Sequence, residues 1–126
     1  MAGKVKYEVE CMIKASPKLL FNYLATPSGL SNWFAENVNL RGDIYTFIWD
    51  GTEEKAKLVS KKDNQFIKFK WLDGDEGTFF EFRIEIDDLT KDLALIITDF
   101  AEKSDIKDSK RLWESQVEEL HGILGA

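Results

Sequence analysis

Few side chains in this 126-residue sequence have both the type and the placing to do chemistry. Asp99 stands out, because it lies in an otherwise apolar run and shares a strand face with Leu93, Leu95 and Ile97 at the two-residue period. If that face is the concave side of a curved sheet, burial raises its pKa and makes Asp99 a candidate acid or base. A position at a strand end, near solvent, would leave it an ordinary carboxylate. Gln116 is the other polar group placed to orient a ligand among apolar neighbours.

The remaining reactive types are thinly spread. His121 and Cys11 are the single histidine and the single cysteine, far apart, and HExxH and CxxC spacings are missing. Neither a metal nor a cofactor is therefore expected. His121 falls near the end of a helical pattern, where a cation suits the dipole, and Cys11 reads as a buried, inert thiol on an alternating strand. The loop Asp73-Gly74-Asp75-Glu76-Gly77 has the glycines of a turn, but its carboxylates would repel phosphate and lack the spacing of a calcium loop. Adjacent carboxylates such as Glu53-Glu54 and Asp87-Asp88 would point to opposite faces of a strand and read as solvated. No residue is assigned as catalytic, and an enzyme is the less favoured reading.

The elements that must position these groups are legible from periodicity. Val5, Tyr7, Val9, Cys11 and Ile13 alternate with Lys4, Lys6, Glu8 and Glu10, which predicts a half-buried strand over 4–13. Ser16 is placed to cap a helix with Pro17 at its first position; Leu20, Phe21 and Leu24 give it one apolar face. Thr26-Pro27-Ser28-Gly29 ends that helix and starts another short one carrying Leu30, Trp33 and Phe34. From Val38 onward the pattern is one of short strands. Arg41-Gly42-Asp43, Asp50-Gly51, Asp63-Asn64 and the Asp73–Gly77 loop mark the turns between them. Leu93–Phe100 is apolar on both faces, as a central, covered strand would be. About seven strands result, in an antiparallel meander with no crossover helix between consecutive members.

The final segment, from Ser104 or Asp105 to Leu124, repeats Ile106, Trp113, Val117, Leu120 and Leu124 at helical spacing. Its length of roughly 30 Å demands a whole sheet face to bury against. Strand, two short helices, strands and one long helix make a single α+β domain over 1–126, with its helices gathered on one face.

The segment from Ile13 to Phe34 carries a resemblance. A strand ending Ile13-Lys14-Ala15 runs into Ser16-Pro17, then a helix with Phe21 and Leu24, then Thr26-Pro27 and the pair Trp33-Phe34. This order resembles the START and birch-pollen-allergen superfamily (SRPBCC, the helix-grip fold), in the branch named after activators of the heat-shock ATPase. Gly42 before an aromatic strand, and Trp113 followed by Leu120, extend the similarity over essentially the whole chain. The resemblance implies a curved antiparallel sheet, a long C-terminal helix across its concave face, and a deep, largely apolar cavity between them. It also implies a range of roles: binding of lipids, sterols, polyketides or plant hormones, cyclase or hydroxylase-subunit activity, and co-chaperone action. Fold alone does not choose among these.

The aromatic content (nine Phe, four Trp, three Tyr) exceeds what a minimal core needs. Trp33, Phe34, Phe47, Trp49, Trp71 and Phe80 are candidates to line such a cavity, with Phe82 and Ile97 from later strands. Trp113, Val117 and Leu120 would face it from the last helix. The same side chains would equally form a closed core.

With 17 basic and 23 acidic residues the net charge is −6. A surface of that sign repels phosphate backbones and anionic headgroups, so nucleic acid is not an expected partner. No apolar stretch approaches the length of a membrane span, and no apolar leader precedes the first strand, so a cytoplasmic location without membrane insertion is expected. The favoured reading is a non-enzymatic module whose partner is a small hydrophobic molecule, lipid-like or aromatic. The alternatives are a co-chaperone that docks a protein partner through Trp33 or Phe34, exposed on the short helices, and a cyclase- or hydrolase-type enzyme using Asp99 with a Tyr or Gln. The sequence sets no oligomeric state.

Overall fold

A computed structural model describes residues 3–125. Its first strand, β1 (Lys4–Ile13), buries Tyr7, Val9 and Ile13 and leaves the intervening Lys and Glu residues in solvent. Val5 belongs to the inward set by parity but remains exposed at the strand's start. Ser16 then caps helix α1 (Pro17–Ala25), its Oγ accepting from the Leu19 N–H at 3.1 Å. Thr26 closes α1 and also caps α2 (Pro27–Leu30), where its hydroxyl accepts from the Gly29 N–H at 2.9 Å.

Six further strands follow: β2 (Asn37–Arg41), β3 (Ile44–Trp49), β4 (Thr52–Lys62), β5 (Phe66–Trp71), β6 (Phe80–Ile86) and β7 (Leu93–Glu102). β3 and β4 are joined by Asp50 and Gly51, both at positive φ (43° and 81°), the two-residue turn whose twist matches the strands it connects. Helix α3 (Ile106–Leu124) ends on Gly125 in the left-handed region, φ 71°.

All strand pairs are antiparallel, and the sheet order is β1-β7-β6-β5-β4-β3-β2. The meander expected from the turns runs from β2 to β7, and β1 closes onto β7 over ten residues, from Lys4↔Glu102 to Ile13↔Leu93. The fold is thus α+β of the helix-grip kind, with the short helices after strand 1 and the long helix last. One apolar cluster joins the concave face to Leu20, Leu24 and Leu30 of the short helices and to Trp113, Val117 and Leu120 of α3.

β7 departs from the expected setting. It is apolar on both faces, but it lies second from a sheet edge rather than centrally, and Ala94, Ile96 and Thr98 point away from the core cluster. They are buried nonetheless. Their cross-strand partners Met12, Glu10 and Glu8 on one side, and Glu85, Arg83 and Glu81 on the other, have longer side chains that cover them.

Candidate functional site

Register decides which side chains meet at the open end of the concave face. Tyr7 and Asp99 are directly opposed in the β1–β7 ladder, so both side chains point to the same side. Phe47 and Glu54 are opposed in β3–β4 in the same way, which carries Glu54 to the concave face with fully buried Phe47. From above, Ser109, Trp113 and Gln116 recur at spacings of four and three and form one stripe of α3. The strip of sheet and this stripe of helix enclose a pocket of about 360 Å³, open to solvent, lined by Tyr7, Phe34, Trp49, Glu54, Trp71, Asp99, Ser109, Leu112, Trp113 and Gln116. A more voluminous groove of about 610 Å³ lies along Asn39–Arg41, Ile44, Thr46 and Lys55, but no aromatic residue lines it.

Phe34 is the hinge of the site. Its ring stacks on Trp113 with centroids 5.5 Å apart and planes 7° from parallel, and it meets Phe47 and Trp49 edge-on at 5.0 and 5.3 Å. Its carbonyl accepts from the Trp49 Nε1 at 2.7 Å and from the Gln116 Nε2 at 3.0 Å. One backbone oxygen thereby ties the short helical segment, β3 and α3 together. Trp33, beside it, donates from Nε1 to the Tyr23 carbonyl at 2.7 Å and packs on Phe82.

Asp99 is half-buried and holds three donors. The carboxylate accepts from the Trp113 Nε1 at 3.0 Å, from the Tyr7 hydroxyl at 3.4 Å and from the Phe100 N–H at 2.8 Å. Burial still raises its pKa above the usual carboxylate range, against the lowering effect of those bonds. The Tyr7 phenol is pushed up to about 12, first by burial and then by the charge of Asp99. The concave placement of Asp99, rather than a solvated strand end, is what the structure records.

Six of the thirteen candidate residues meet at this pocket: Phe34, Trp49, Trp71, Asp99, Trp113 and Gln116. The other seven, Trp33, Phe47, Phe80, Phe82, Ile97, Val117 and Leu120, are buried in the closed core beneath it. Stacked rings fill the space that a deep cavity would occupy, with Phe80 against Phe69 at 4.7 Å and against Trp71 at 4.8 Å. Trp33 and Phe34, expected as exposed docking rings, are 5% and 4% exposed and offer no such surface.

Four lining residues are not among the sequence candidates, and one of them, Glu54, was expected to be merely solvated. Tyr7 lay on the recognised inward face of β1. Glu54 is two residues from Ala56, the buried residue of β4, and therefore shares its face. Ser109 sits one turn before Trp113, and Leu112, 63% exposed, forms the rim. Outside the site, Cys11 is half-buried rather than buried, and its thiol pKa is raised by burial and then by Glu114, Glu10 and Glu118, which favours the protonated form. His121 meets the Met12 carbonyl of edge strand β1 at 3.0 Å, a contact that pins the last turns of α3.

Among the described residues no helix is long and apolar enough to cross a membrane, and no cluster of three or more His, Cys, Asp or Glu is placed to hold a metal.

No curated protein matches this chain. Solved structures do. A Bacteroides fragilis protein determined by solution NMR is 35% identical, with a TM-score of 0.69 over 98% of this chain and 92% of its own. The Aha1 dimer from Colwellia psychrerythraea is 21% identical (TM-score 0.80, covering 95% and 96%), and a Mesorhizobium loti crystal structure is 15% identical (0.78, 96% and 97%). The last two are likenesses of fold alone. The family model of the START-like superfamily domain matches residues 1–126, and the chain belongs to that family.

Proposed function

We propose that this protein binds a small hydrophobic molecule, lipid-like or aromatic, non-enzymatically in the pocket beneath the first half of α3. The observation that carries the reading is the pocket's wall: Phe34, Trp49, Trp71 and Trp113 surround about 360 Å³ with only a few polar atoms among them. Sites for small molecules have this composition, apolar and aromatic with a few placed polar groups. Membership of the START-like superfamily supports it, since such domains commonly take hydrophobic ligands.

Asp99 ties the lid helix to the sheet: its carboxylate accepts from the Trp113 indole of α3, from the Tyr7 hydroxyl of β1 and from the Phe100 N–H. A binding module uses such a placed polar group to fix one wall of an otherwise apolar pocket.

The test is native mass spectrometry of gently purified protein, followed by thermal unfolding against a panel of lipids and aromatic compounds. A ligand at one hundred times its Kd adds roughly 2.7 kcal/mol of stability, a rise of several degrees for a domain this size. Fluorescence of Trp49, Trp71 and Trp113 should change with the same midpoint. Only apo protein in the spectrometer, with no thermal shift from any compound, overturns the proposal.

A further inference from the structure

We infer that the preferred ligand of this pocket is a small organic cation, an aromatic or aliphatic group bearing an ammonium. The inference rests on the proposed binding role and adds the sign of the ligand's charge.

Two carboxylates, Glu54 and Asp99, come to the pocket from separate strands, and no Lys or Arg is among its lining residues. Lys4, the cation whose charge acts on Asp99, is paired with Asp75 at 3.5 Å. Glu54 is exposed at the mouth, on the face it shares with Phe47, so its charge is available to an incoming group. Between the carboxylates stand aromatic faces. Trp49 and Trp71 are partly exposed, with centroids 6.2 Å apart and planes 56° from parallel, so they present two inclined π-surfaces to one volume. An ammonium is drawn to such faces by the ring quadrupole, most strongly to indole. An anion would meet the same quadrupoles and both carboxylates with the opposite sign. A neutral hydrophobe would gain the apolar contact only. The net charge of −6 acts in the same direction at longer range.

The experiment uses three probes of similar size on the full chain: benzyltrimethylammonium, its neutral carbon isostere neopentylbenzene, and phenylacetate. Binding is read by tryptophan fluorescence and by thermal unfolding. The ammonium should bind at least about tenfold more tightly than the neutral isostere, and raised ionic strength should narrow that margin. E54Q, an exposed change that the fold tolerates, should cut the margin severalfold, and D99N gives an independent, near-isosteric second reading. If neopentylbenzene or phenylacetate binds as tightly as the ammonium, the charge assignment is overturned and the hydrophobic pocket stands. If none of the three binds or shifts the unfolding temperature, the charge assignment falls, and the lipid and aromatic panel decides the hydrophobic reading separately.

Discussion

The indole N–H of Trp113 reaches across from α3 to the carboxylate of Asp99 on β7, at 3.0 Å, while the same ring lies flat on Phe34. One side chain thus closes the core and forms the roof of the pocket. W113A should destabilise the fold by roughly 3–5 kcal/mol, the usual cost of emptying a large buried aromatic site. W113F keeps much of the stack and loses the bond to a charged acceptor, so its cost should be nearer about 1.5–3 kcal/mol. Urea unfolding of both variants checks this. A near-neutral W113A would mean that the ring is not wedged between helix and sheet.

D99N should make the protein more stable at neutral pH. Burial raises the folded-state pKa of Asp99, so the folded protein binds its proton at a higher pH than the unfolded chain does. The stability linked to that proton is fully present below the unfolded pKa and is lost as pH rises through the folded one. The variant has no such proton to lose. Its unfolding temperature should therefore exceed that of the parent at neutral pH, and the two should converge in acid. Tyr7 adds a loss of the same sign at the alkaline end, between its ordinary value and about 12. A D99N variant less stable at neutral pH would mean that the donors on Asp99 outweigh its desolvation.

Local signals in the sequence account for most of this fold. Alternation fixed β1 to its observed bounds, Ser16-Pro17 and Thr26-Pro27 start the two short helices, and Asp50-Gly51 makes its hairpin. These features depend on neighbours within a few residues. The pairing of β1 with β7 does not: Tyr7 and Asp99 are 92 positions apart, and their register comes from closing the sheet. The same distance hid the polar cluster, although each member was legible alone. The division of aromatics between pocket and core was beyond periodicity altogether. Trp71 and Phe80 have the same type of pattern around them, yet one lines the opening and the other is fully buried. Ring-on-ring packing in three dimensions makes that difference. Trp33 and Phe34 went the other way from expectation for a related reason: α2 ends at Leu30, short of them, and the turn that follows it carries both rings inward onto Phe82 and Phe47.

Gly29 is a tight position for reasons of space rather than backbone angle. A Cβ there would run into the Asn22 carbonyl and lie 2.7 Å from the Tyr23 Cα, both main-chain atoms of α1 that cannot rotate away. G29A should accordingly force α1 and α2 apart, at a cost of about 1–3 kcal/mol. Because Trp33 donates to the Tyr23 carbonyl, the strain should also disturb the indole environment, visible in near-ultraviolet circular dichroism. An unchanged unfolding midpoint would show that the two helices can separate freely.

Gln116 separates the stability of the lid from the chemistry of the pocket. Its amide donates to the Phe34 carbonyl, but the Trp49 indole donates to that same oxygen at a shorter distance. Removing the amide therefore leaves no buried acceptor without a partner, and Q116L should cost no more than about 1 kcal/mol. The substitution also turns one of the polar patches of the wall apolar. A neutral hydrophobic probe should then bind more tightly, and an ammonium probe should be little affected, since Glu54 and Asp99 remain in place. Titrating both probes into Q116L, alongside its urea unfolding curve, tests the two claims separately. A large loss of stability would show that the helix depends on this one tether, and weaker binding of the neutral probe would show that Gln116 itself contacts the ligand.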